Sequence, residues 1–199
     1  MNSETHPQLA APGAGIPWIE RRVGSLLFGF HRLTGTPASI SARFQREREA
    51  IRVLLNGVDE AARGTWVLIR RPPGLEDSSR YWSVWMTLDH LRIVHGAMSR
   101  VITELLRGIT PPGEASTAAV KPRTDVAADV EAAWERSCDE LLAVVAAAPD
   151  LRTAARYPHP WFGPLDAAGW HALAAGHMGI HRRQIERIIR GLAGAKAVR

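Results

Sequence analysis

Four long stretches of helical periodicity, cut apart by proline- and glycine-rich connectors, leave this chain little room for anything but an all-α fold. The first spans residues 37–62, with Thr36 able to N-cap it and Pro37 at the first helical position, where a missing N–H costs nothing. Its apolar stripe is Ile40, Phe44, Ile51, Leu54, Leu55 and Val58, and Arg43, Arg46, Glu47 and Arg48 fall largely on other faces. The run Arg70-Arg71-Pro72-Pro73-Gly74 breaks the pattern, and Trp66-Val67-Leu68-Ile69 before it reads as a short strand or an extended apolar plug. The second helix is expected over 81–107, with Leu88, Leu91, Val94, Met98, Val101, Ile102 and Leu105 inward, and Gly108 and Pro111-Pro112-Gly113 to stop it. The third is expected over 125–148, N-capped by Thr124, with Val126, Val130, Trp134, Leu141 and Val145 inward. The fourth is expected over 166–192, N-capped by Asp166, with Trp170, Leu173, Ala174, Ile185, Ile188 and Leu192 at helical spacing. No internal repeat and no convincing sheet accompany them, so the pattern is that of a four-helix bundle with long connectors.

The remainder of the chain limits its setting. With 199 residues the chain can bury a core without staples, and Cys138, its only cysteine, excludes a disulfide framework and reads as packing. No apolar run approaches the ~20 residues needed to cross a bilayer. The net charge of +5 is almost all arginine, but it is spread along the chain among glutamates, and no helix-turn-helix, zinc-finger or RNP pattern is present. Neither nucleic acid nor a membrane is therefore an expected partner. Residues 1–17, rich in proline and glycine, read as a flexible tail, and 193–199 as a C-terminal tail. Arg21-Arg22 before Val23-Gly24-Ser25-Leu26-Leu27-Phe28 faintly resembles an export signal, but the apolar run is short and no cleavage site follows. Residues 18–35 read instead as an amphipathic segment packed on a bundle formed by 36–192, and a cytoplasmic location follows by default.

The histidines carry the chemical signal. On the fourth helical wheel, His177 and His181 sit at the centre of the apolar side, about 40° apart. Their Cβ atoms should lie about 5–6 Å from one another, so two imidazoles can converge on one ion. On the second helix His90 shares the wheel angle of Val101 and points inward, making it the candidate third ligand. His95 and His171 fall at the edges of their stripes and read as rim residues, and Asp89 points away from the core. The segment Met178-Gly179-Ile180 carries no glutamate beside the first histidine, which excludes an HExxH protease motif. Spacing alone leaves two readings open: a His90/His177/His181 metal site, or hydrogen-bonded core histidines.

The run His177-Met178-Gly179-Ile180-His181-Arg182-Arg183-Gln184-Ile185 resembles the fourth-helix signature of the DinB/YfiT-like superfamily. Thr87-Leu88-Asp89-His90-Leu91 resembles its second-helix histidine motif, and His159-Pro160-Trp161-Phe162-Gly163-Pro164-Leu165 with Trp170 the lead-in to its fourth helix. The resemblance covers about residues 36–192. It implies an up-down-down-up four-helix bundle, frequent dimers, and one divalent metal ion, nickel or zinc among others, held by three histidines that carry over to His90, His177 and His181. Related proteins include thiol-dependent S-transferases and metal-dependent hydrolases or isomerases. Gly169 departs from the pattern, since relatives often carry a glutamate there, and the departure is expected to weaken the start of the helix.

Three neutral imidazoles leave a metal with open positions, the mark of a catalytic rather than a closed structural site. Zinc so held can lower the pKa of bound water to about 7, or bind a thiolate, and the ligands alone do not choose between hydrolysis and thiol transfer. His159 is the candidate proton shuttle. Gln184 either supports a ligand or packs, and Trp82, Trp85, Trp161 and Phe162 either wall an apolar pocket or are core. The resulting expectation is a metalloprotein acting on a small molecule, as a homodimer. The alternative is a non-catalytic dimeric bundle with a structural or vacant metal site.

Overall fold

The computed structural model describes residues 7–197, with side chains to 194. Four long helices form the bundle: α2 (Pro37–Asn56), α4 (Val84–Leu106), α5 (Asp129–Ala146) and α6 (Ala167–Ala197). Two further helices, α1 (Trp18–Thr34) and the single-turn α3 (Glu60–Arg63), lie outside it. Close packing runs α2–α6–α4–α5, and Arg48 on α2 closes the ring onto Glu135 and Asp139 of α5. The expected inward residues form the core: Phe44, Ile51, Leu88, Leu91, Ile102, Trp134, Leu141, Ile185 and Ile188 are all sealed from solvent.

The helix starts follow local chemistry. Thr36 and Ser39 form a reciprocal capping box at α2, with Pro37 at its first position. The Ser83 side chain accepts from Met86 N–H and starts α4 at Val84, three residues later than the pattern predicts. Asp166 Oδ1 accepts from Gly169 N–H at 2.8 Å, so the α6 cap forms without the glutamate. A Cβ at position 169 would lie 3.1 Å from Leu165 Cβ and 3.2 Å from that Oδ1, which makes glycine the residue that suits this close turn. α2 stops at Asn56, and the expected remainder to residue 62 becomes a separate turn capped by Asp59. α5 starts at Asp129 with no side-chain cap, not after Thr124. The preceding connector is already committed to α4: Arg123 N–H donates to Asp89 Oδ2, and Val120 O accepts from His90. α6 continues through Ala197, past the expected boundary at 192, and residues 1–6 and 198–199 of the expected tails lie outside the described residues.

Two small hairpins fold the connectors over the bundle. β1 (Val67–Leu68) pairs antiparallel with β2 (Tyr81–Trp82), so the Trp66–Ile69 run supplies a strand. β3 (Tyr157–His159) pairs with β4 (Gly163–Leu165), and Gly163 takes φ +69° where the tip turns back. α1 buries no residue fully. It is pinned by Glu20 to Arg71 at 2.5 Å, by Arg32 to Asp166 at 2.9 Å, and by Phe28 against Phe162 with ring centroids 4.6 Å apart.

The buried arcs are wider than the wheels suggest. Asp89 is sealed by the 120–123 connector and accepts from Arg92 at 2.8 Å, so it does not face solvent. Arg48 is also buried, because its guanidinium reaches across to α5. His95 and His171, expected at the rim, are fully enclosed. His95 Nδ1 lies 3.2 Å from Ser137 Oγ and 3.7 Å from Cys138 Sγ, so a histidine does adjoin the cysteine. Burial pushes that thiol up to about 12 and the His95 ring down to about 3, which leaves an un-ionised packing pair, not a nucleophile and base.

Candidate metal centre

α4 contributes His90 and α6 contributes His177 and His181, one turn apart. Their Nε2 atoms converge: His177 Nε2 lies 3.2 Å from His90 Nε2 and 3.1 Å from His181 Nε2. Bonds of about 2.0–2.1 Å at tetrahedral angles would set ligand nitrogens about 3.3–3.4 Å apart, close to these spacings. Among the described residues these three form the group of histidine, cysteine or carboxylate side chains whose ligand atoms gather closely enough to hold one ion.

The outer nitrogens decide where the lone pairs point. Val120 O can only accept, so His90 Nδ1 carries its proton and donates at 2.6 Å, leaving Nε2 bare. Gln184 donates through Nε2 to Ser79 O at 2.7 Å, so its Oε1 faces His181 and accepts from Nδ1–H at 2.6 Å. His181 Nε2 is therefore bare as well. His177 Nδ1 is buried without a hydrogen-bond partner among the described residues. Two bare nitrogens directed at a third within 3.2 Å form a donor set suited to a cation, and the anchored Nδ1–H groups are the support that metal-ligating histidines use. Burial is the leading cause that keeps the rings neutral: it brings His90 down to about 4 and holds His177 and His181 well below the usual range.

Trp82, from the first hairpin, packs on this centre. Its ring lies 5.3 Å from His90 and stacks nearly parallel to His181 at 6.3 Å, while Lys121 Nζ sits 5.6 Å above its centroid. Lys121 is itself held by Glu76 at 2.7 Å and by the Ser78 and Ser79 hydroxyls. Trp85, by contrast, donates to Glu131 at 2.8 Å and takes no part. The sequence reading missed Val120 and Ser79, which act through backbone carbonyls that any residue could supply.

The three rings open into a cavity of about 940 Å³ between α1 and the bundle. Val94, Met98, Leu173, Phe28, Trp161 and Phe162 provide much of its wall. His159 lines it too. Its Nδ1 accepts from Trp161 N–H at 3.2 Å, which places its proton on Nε2, and its ring stacks on Phe162 at 5.0 Å. Burial lowers it to about 4, so near neutral pH it is an uncharged hydrogen-bond donor.

With the geometry in place, comparison with known proteins points the same way. The model of the DinB superfamily matches residues 43–185, which contain all three histidines. The crystal structure of TT2238, a four-helix bundle protein, superposes with a TM-score of 0.56 at 26% identity, covering 76% of this chain and 98% of that one. No curated protein matches. Among the described residues no helix is long and apolar enough to cross a membrane.

Proposed function

The chain belongs to the DinB superfamily, and from that premise we propose that it is a metal-dependent hydrolase or thiol S-transferase acting on a small molecule. The observation that carries the proposal is the convergence of three Nε2 atoms at 3.1 and 3.2 Å beside a cavity of about 940 Å³. His90, His177 and His181 would hold one divalent ion, zinc or nickel. Such an ion, when bound, supplies Lewis acidity and favours the ionised form of a water or thiol ligand.

The chain's own residues do the rest. Val120 O and Gln184 fix two rings in the tautomer that leaves Nε2 free. Trp82 covers the His90 and His181 rings from the side of the first hairpin. His159 is proposed to donate Nε2–H to a bound substrate and to pass a proton at that atom. The cavity volume lies within the range of small-molecule sites, and it favours a catalytic centre over a closed structural one. The outward apolar residues of α1, Trp18, Leu26 and Leu33, lie outside the cavity and support the homodimer that is part of this proposal. The cytoplasm is the proposed location.

The test is elemental analysis of protein purified without a metal-affinity tag. Near-stoichiometric divalent metal is expected, and its loss in His177→Ala and His181→Ala. Wild-type protein that neither carries nor takes up zinc or nickel overturns the reading.

A further inference from the structure

The charges around the cavity are unevenly committed. Glu20 is spent on Arg71, and Glu76 on Lys121. Arg43 on α2 and Arg183 on α6 also line the cavity, and neither has an ion-pair or hydrogen-bond partner among the described residues. His31 on α1 lines the same side, and burial, then Arg43, disfavours its protonated form. Burial, then the neighbouring Arg182, holds the Arg183 guanidinium below its ordinary range, with Glu47 and Glu186 opposing and Arg43 adding to the effect. Glu114 is the one lining carboxylate without an ion pair among the described residues, and it sits exposed on the 107–128 connector. Glu47 and Glu186 favour the Arg183 charge from a distance, but both are bonded to Arg182 and neither pairs with Arg43 or Arg183.

Unpaired guanidiniums beside an apolar cavity are placed to take a ligand's negative charge. A guanidinium offers a planar fork that matches carboxylate or phosphate oxygens, and here Arg43 is half-buried while Arg183 is exposed at the cavity rim. The remaining lining is largely apolar, including Val94, Met98, Val101, Leu173 and Phe162, and suits a hydrocarbon or aromatic body. Three neutral imidazoles add no negative charge to repel an anion.

We propose that the cavity binds an amphipathic anion, a carboxylate or phosphate on an apolar body, with Arg43 and Arg183 holding the anionic group and the body lying along the cavity toward the three histidines. The proposal names the substrate class of the site above and rests on that reading for the chemistry, but not for the binding.

Octanoate, octyl phosphate, 1-octanol and octyltrimethylammonium are titrated into the full chain at 0.15 M salt. The fluorescence of the cavity tryptophans Trp161 and Trp170 is followed, with calorimetry as a second readout. Octanoate or octyl phosphate is expected to bind at least tenfold more tightly than octanol, the stronger of the two identifying the head group, and the cation not to saturate. The double variant Arg43→Met/Arg183→Met is expected to lose tenfold or more in anion affinity while binding octanol within twofold of wild type. Equal binding of octanol and both anions, or unchanged anion affinity in the double variant, overturns the proposal. His177→Ala separates the two readings: it should hold anion affinity within threefold, because the arginines act without the metal. Anion binding lost in His177→Ala but kept in the arginine variant places the charge on the histidine centre and also overturns the proposal. The metal content of the same wild-type sample tests the metal reading independently.

Discussion

Replacing Gln184 with leucine isolates the support of one ligand without touching a ligand. The wild-type amide joins His181 Nδ1, at 2.6 Å, to the Ser79 carbonyl, at 2.7 Å. Leucine nearly preserves the volume but leaves a buried N–H and a buried C=O unpaired. Each such group costs about 1–3 kcal/mol, so the metal-free protein should lose roughly 2–6 kcal/mol of stability. The ring, no longer held, can place its proton on Nε2, where it blocks the metal. Loss of a supporting partner of this kind lowers metal affinity by about 10–100-fold. Gln184→Glu keeps an acceptor facing Nδ1–H and should bind metal within about threefold of wild type, although it loses the bond to Ser79. The assay is zinc competition against a chromophoric chelator, with urea unfolding of the metal-free proteins alongside. Zinc affinity in Gln184→Leu equal to wild type would refute the claim that this amide sets the His181 tautomer.

Three further outcomes follow from other parts of the molecule. His95 and His171, which lie outside the candidate metal centre, are lowered by burial to about 3 and about 4, so the unfolded chain binds their protons more readily. Their share of stability is complete above about pH 6.5 and falls as pH drops toward those values, by about 1.4 kcal/mol per ring and pH unit. Urea midpoints between pH 7 and 5 should therefore decline, and less steeply in His95→Leu. Arg48→Met removes charge-assisted bonds to Glu135 and Asp139 across α2 and α5 and should cost about 2–3 kcal/mol, lowering Tm by roughly 4–12 °C; an unchanged melting curve contradicts the closure of the ring through this residue. Gly163→Ala meets no atom within 4 Å but forces an alanine to φ +69°, so calorimetry should register a loss of about 1–2 kcal/mol from backbone strain alone.

The helices were legible because each repeats its apolar residues at the helical period and is bounded by capping and breaking chemistry. Thr36, Pro37 and Asp166 stand where the caps form. The three histidines of the candidate metal centre were legible for the same reason, since a ring at the centre of an apolar stripe points inward whatever surrounds it. Asp89, His95 and His171 were misplaced because a wheel assigns burial from the helix alone. In this fold the flanks are covered by other parts of the chain. The 120–123 connector lies over Asp89, Ser137 and Cys138 of α5 meet His95, and Ser41 of α2 meets His171 Nε2 at 3.1 Å. The same covering explains why the supports of the site went unseen. Val120 and Ser79 hold His90 and Gln184 through backbone oxygens, and a carbonyl has no residue identity to read. His90 and Asp89 are the link between the two kinds of information. One side chain enters the candidate metal centre and its neighbour clasps the connector, so the segment whose carbonyl orients the His90 ring is tied down by the adjacent residue in the motif. An Asp89→Asn exchange should therefore loosen the connector at Arg123 and weaken zinc binding through His90, although residue 89 contacts no other histidine of the centre. Zinc affinity unchanged in that variant, with amide exchange at Arg123 accelerated, would show that the connector can move without disturbing the ligand and would break this link.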